Sequence, residues 1–160
     1  MLGMQLKNRL PYGEKHELNL KTVIALNRAT NHLNRRASAV FRRHGLTLMQ
    51  FAVLEILYHR GALAVGEITK RILATGGNMT VVLKNLMKEG LIARGPSSSD
   101  NRVAIVSLTA RGAAKMEQLF PEYLEDLAGF LSCLPDVEKK ALTTTLRIIQ
   151  RSGKNEHTPD

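Results

Sequence analysis

Between Gly77 and Glu89 the sequence sets small polar groups first and cations later on one helical face. At about 100° per residue, Met79, Val82, Leu83 and Leu86 fall on one side of a wheel. Gly77, Thr80, Val81, Lys84 and Lys88 fall opposite, with Asn78 and Asn85 at the margins and Thr75 where an N-cap would stand. That distribution suits a helix entering a duplex major groove N-terminus first, with little bulk near the bases and positive charge near the phosphates. Gly77 permits close approach. The Thr80 hydroxyl and Asn78 amide can reach base edges or phosphates, and a thymine methyl would give the outward Val81 a partner. On an ordinary surface helix the same residues would be solvated lysines and one exposed valine, which is commonplace.

A second constellation surrounds three serines. Asp100 and Arg102 stand two apart, where an extended segment returns after Pro96-Ser97-Ser98-Ser99-Asp100-Asn101. An arginine there can enter a narrow minor groove, where negative potential is strongest. Asp100 can hold its guanidinium in a bidentate pair. As a bare surface ion pair the two would contribute roughly a few tenths of a kcal/mol.

Catalytic patterns are missing. No Ser–His–Asp order, glycine-rich phosphate loop or H-E-x-x-H run occurs. Glu125-Asp126 would splay on a helix, and His16, His32, His44, His59 and His157 lack ligand spacing. No catalytic residue, metal site or cofactor is expected. Cys133, the single cysteine, excludes an intrachain disulfide framework and a Cys-rich zinc site. Among Phe130, Leu131 and Leu134 it reads as a small buried hydrophobe rather than a redox sensor.

The whole composition fits one basic domain. The 160 residues leave little room for two, and 44% hydrophobic residues supply a core. No run of 18 apolar residues and no secretory signal are visible, so a soluble cytoplasmic protein is expected. Aromatics at 4% argue against a stacking platform for single strands. The formal net charge of +9 is unevenly spread. Residues 1–43 carry nine Lys or Arg against two Glu, whereas Lys115 faces Glu117, Glu122, Glu125 and Asp126. Such segregation suggests a surface for polyanions.

The elements that must position these groups follow from period and punctuation. Residues 1–19 read as a loose arm. Val23, Leu26, Leu33, Ala37, Val40 and Phe41 have helical spacing from about Leu20 to His44, closed by Gly45. Thr47 and Gln50 form a capping box for a helix ending at Gly61. An extended stub at Ala64-Val65 leads to a short helix with Ile68, Ile72 and Leu73 inward. After the Gly77–Glu89 helix and Gly90, Leu91 to Arg94 and Arg102 to Leu108 alternate as two strands of a hairpin. Thr109 caps a helix with a wide apolar stripe (Leu119, Phe120, Tyr123, Leu127, Phe130 and Leu131), kinked rather than ended by Pro121. Pro135 starts a last helix with Ala141, Leu142, Leu146 and Ile149 inward. A mainly α chain with a helix–turn–helix followed by a small β-hairpin is a winged helix–turn–helix.

From about Leu46 to Gly112 the sequence resembles the MarR (multiple antibiotic resistance regulator) family of bacterial transcription factors. The match runs through LTLMQFAVLEILYHRG, VGEITKRI and GNMTVVLKNLMKEGLIARGPSSSDNRVAIVSLTARG. Its most specific part is Glu89-Gly90-Leu91-Ile92-x-Arg94, then Asp100-x-Arg102, then Leu108-Thr109-x-x-Gly112. The resemblance implies a homodimer built from N- and C-terminal helices, whose two winged lobes read a pseudo-palindromic operator in double-stranded DNA. On that pattern residues 1–160 form a single domain. Residues 20–44 and 109–151 supply dimerisation helices, and residues 46–108 the DNA-binding lobe. Thr75, Asn78, Thr80, Val81 and Lys84 lie where the family contacts bases and phosphates, and Arg102 at the minor-groove wing position, braced by Arg94 and Asp100. The position of Val81 is often arginine in relatives. Their usual proline before the acidic wing residue is serine here, so base preference and wing mobility should differ. QFAVLEILYHRG looks most like the branch that senses quinones and other electrophiles.

The expected function is a sequence-specific transcriptional repressor released by a small aromatic or electrophilic effector. The rival is a winged-helix protein-interaction scaffold that does not bind DNA. It would show acidic or apolar residues on the outward face that here carries Lys84 and Lys88.

Overall fold

The computed structural model describes residues 13–72, 76–96 and 104–152. The elements run α1 (Glu14–Arg43), α2 (Leu48–Arg60), β1 (Leu63–Ala64), α3 (Val65–Ile72), α4 (Gly76–Lys88), β2 (Ile92–Pro96), β3 (Ala104–Leu108), α5 (Ala110–Phe130) and α6 (Asp136–Ser152). The three strands form one antiparallel sheet in the order β1-β3-β2. Ile92 pairs with Leu108, and Leu63 with Val106. Helix–turn–helix and hairpin thus make a winged lobe.

Local signals set the helix ends. Two helices close with the same motif. Gly45 and Gly90 take φ of 72° and 68°, a region glycine enters without strain. The N–H of the residue after each glycine donates five residues back, Leu46 to Phe41 and Leu91 to Leu86. Each glycine N–H donates to the carbonyl three residues back, Arg42 and Met87. That is the Schellman arrangement, and the accompanying apolar pairs are buried here. α2 opens on a capping box. Thr47 Oγ1 accepts from Gln50 N at 3.2 Å, and Gln50 Oε1 accepts from Thr47 N at 2.8 Å.

The chain divides into two compact units between Leu119 and Phe120. The core of the first gathers Phe41, Phe51, Leu54, Ile68, Leu86, Val106, Met116 and Leu119. Phe41 and Phe51 stack with ring centroids 3.9 Å apart. In the second unit Phe120 and Tyr123 meet edge to face at 6.3 Å, and α6 buries no residue.

Four expectations need correction. The helix read from Leu20 already begins at Glu14, where Glu14 and Glu17 favour a helix N-terminus, so residues 14–19 are not arm. The stub is Leu63–Ala64, one residue earlier, because those residues pair with Val106 and Ile105. Cys133 is exposed in the turn after α5 rather than buried. Val23, Leu26, Leu142 and Ile149 are exposed in the single chain, since no described element covers them. α5 continues through Pro121, as its unbroken apolar phase implies. Residues 1–12, Leu73, Ser97 to Ser99 and the tail from Gly153, with His157, lie outside the described residues.

Candidate nucleic-acid interface

α4 separates its faces as its wheel requires. Met79, Val82, Leu83 and Leu86 are buried, anchoring the helix against the lobe. Gly77, Asn78, Thr80, Val81, Lys84, Asn85 and Lys88 are all exposed. Val81 is 57% exposed, so a β-branched apolar side chain stands in solvent between Thr80 and Lys84. Among the described residues neither Lys84 nor Lys88 has a carboxylate partner, which leaves both cations available to an external anion. Seven expected residues thus share one outward surface. Thr75, expected as the cap, lies outside the described residues.

The wing is a true hairpin. Arg94 pairs with Val106 across β2 and β3, and strand alternation puts it on the same face as Ile92. Ile92 is buried where the strand leaves the core, and Arg94 is exposed further along. Asp100 and Arg102 lie outside the described residues.

A compact joint holds the end of α4 against the start of α5. Thr109 Oγ1 donates to Gly90 O at 2.7 Å and accepts from Gly112 N at 3.0 Å. Thr109 N donates to Leu91 O at 3.1 Å. Gly112 lies so close that a Cβ there would fall 2.0 Å from the Leu91 carbonyl oxygen. One hydroxyl therefore caps α5 and secures the left-handed Gly90 turn. This is the physical content of the Glu89-Gly90-Leu91 and Leu108-Thr109-x-x-Gly112 strings. Periodicity does not reveal it, because it joins residues about twenty apart.

Sequence reasoning also passes over a cleft of about 480 Å³ between α2 and α3, lined by Glu55, Ile56, His59, Arg60, Arg71 and their neighbours. Burial raises the Glu55 carboxyl above its usual range, opposed by the nearby His59. Arg71 is engaged by Glu67 one turn earlier. The i, i+4 spacing of Glu55 and His59 is the cleft's one signal in the sequence. Among the described residues no group of three His, Cys, Asp or Glu could hold a metal ion. No described helix is long and apolar enough to cross a membrane.

The MarR family model matches residues 46–104, which spans α2 through the start of β3. HTH-type transcriptional regulator MhqR of Bacillus subtilis is 31% identical over 141 residues, covering 88% of this chain and 97% of that protein. HTH-type transcriptional repressor MdtR of the same organism is 31% identical over 115 residues, covering 71% and 74%. Among solved structures, Bordetella bronchiseptica BpsR, whose DNA binding is regulated by 6-hydroxynicotinic acid, superposes with a TM-score of 0.69 at 25% identity. That superposition covers 81% of this chain and 98% of BpsR. The winged lobe, the joint at Thr109 and near full-length similarity to MhqR agree: the chain belongs to the MarR family of winged-helix transcriptional regulators.

Proposed function

We propose that the protein is a dimeric, cytoplasmic repressor that binds a pseudo-palindromic operator in double-stranded DNA and releases it when a small aromatic or electrophilic molecule binds. The observation that carries this reading is the outward face of α4. Its cations lack carboxylate partners among the described residues, its N-terminal half is small and polar, and its opposite face is fully packed.

Roles follow from chemistry. Lys84 and Lys88 neutralise phosphates, joined by Arg102 in the minor groove. Asn78, Thr80, Val81 and Asn85 face base edges, with Gly77 allowing the approach and Thr75 capping the helix. Arg94 and Asp100 brace the wing. The whole chain acts as one domain, with residues 20–44 and 109–151 dimerising and 46–108 reading DNA. Pairing is supported by apolar side chains left in solvent: Val23 at 55% on α1, and Leu124 at 50% and Ile148 at 64% in the second unit. Obligate interfaces resemble a core cut in half. Repression is supported by the name of MdtR, and an aromatic effector by the regulation of BpsR. An effector favouring a splayed pair of lobes would set the recognition helices at a spacing wrong for successive major grooves, about 34 Å apart.

A gel shift on a cognate duplex at two salt concentrations tests the reading. Binding that weakens steeply with salt supports it. No shift at either concentration, with the protein folded, would favour the interaction scaffold.

A further inference from the structure

α1 carries a ridge of charge that the recognition surface does not use. Arg28, Arg35 and Arg42 repeat every seven residues and are all exposed. Seven residues are nearly two helical turns, so the three guanidinium groups follow one face at about 10 Å intervals over about 21 Å. They line a groove of about 1070 Å³ in which Asn31 and Ser38 occupy the intervening turns. Every described residue lining that groove is polar and none is acidic. Among the described residues none of the three arginines has a carboxylate partner. Lys21, one heptad earlier, is instead engaged by Glu17 at 3.5 Å, so the uncompensated ridge begins at Arg28.

We propose that this ridge is a second DNA-contacting surface, which holds the sugar–phosphate backbone of the same duplex without reading its sequence. The inference rests on the DNA-binding function proposed above. A partner helix would need apolar seam residues at these heptad positions, and Arg, Asn and Ser supply none. A polyanion needs only cations and hydrogen-bond donors, and arginine gives both in a fork that matches phosphate oxygens. The arginines stand about a Debye length apart at physiological salt, so they repel one another little before binding. Backbone contacts of this kind fix position and add affinity uniformly across sequences.

The test is the slope of log K against log salt, measured for the full chain on a cognate and a scrambled duplex. Each phosphate neutralised contributes about 0.9 to that slope, so three arginines in each of two protomers set a ceiling of about 5. The triple variant R28Q/R35Q/R42Q is expected to lower the slope by about 2 to 5 on both duplexes, with their affinity ratio unchanged within about twofold. The triple lysine variant should keep the parental slope. Circular dichroism and sedimentation confirm that each variant retains its fold and mass. The K84Q/K88Q variant serves as the reference, because its slope falls if α4 binds DNA at all. A reduced slope for K84Q/K88Q with an unchanged slope for the arginine variant overturns the ridge and leaves the α4 reading intact. A parent protein that binds neither duplex overturns both. If only stabilisation by inorganic pyrophosphate is lost in the arginine variant, the groove belongs to a small polyanion and the proposal also fails.

Discussion

Single residues divide between reading and holding. Val81 stands in solvent where a thymine methyl would cover it. Val81→Ala should therefore leave the fold unchanged and reduce discrimination at one base pair by about 1 kcal/mol, the low end for a single contact. Competition between duplexes that differ at one position checks this. Glu55 belongs to stability. Its carboxyl is raised from 4.5 by burial, with His59 opposing, so the folded chain holds that proton more tightly than the unfolded chain does. Its contribution is fully present below the unfolded value and is lost as pH rises through the raised folded value. Glu55→Gln should match the parent in melting temperature near pH 4 and exceed it near pH 7. A melting series over that range reads the difference directly, and equal curves at every pH would remove Glu55 from the account.

At the level of elements, the joint between α4, β2 and α5 decides whether the recognition helix is held. Gly112→Ala would place a methyl against the Leu91 carbonyl, and backbone there cannot yield cheaply. A loss of at least about 2 kcal/mol in chemical denaturation is expected. Thr109→Val removes both hydroxyl bonds and should cost about 1–2 kcal/mol. Much of this lobe is legible in the sequence. α4 shows a sharp contrast between Met79, Val82, Leu83 and Leu86 and its polar side, and Thr47 with Gln50 announces α2. What escaped had physical causes. The first turns of α1 carry few apolar residues, so period does not mark them. Cys133 sits beside apolar neighbours in sequence, but the turn after α5 presents it to solvent. The face assigned inward on α1 is buried only at its C-terminal end, at Ala37, Val40 and Phe41, and no described element covers Val23 and Leu26 on α1 or Leu142 and Ile149 on α6. The Thr109 joint depends on tertiary approach, which no window of sequence contains.

For the molecule as a whole, the uncovered apolar faces and the uncompensated cations belong to one account. Monomeric soluble proteins rarely expose large contiguous apolar patches, and here Leu18, Val23, Leu124, Val137 and Ile148 are all exposed. Sedimentation at micromolar protein should give twice the 17.7 kDa chain mass, and Leu124→Glu with Ile148→Glu should shift the species toward monomer. Two lobes held together would require half-sites one helical turn apart. The most direct measurement is selection of bound duplexes from a random pool. Enrichment of a pseudo-palindrome with half-site centres about 10 base pairs apart is the predicted result. Enrichment of a single unpaired half-site, or of no sequence by protein shown to be folded, would contradict it.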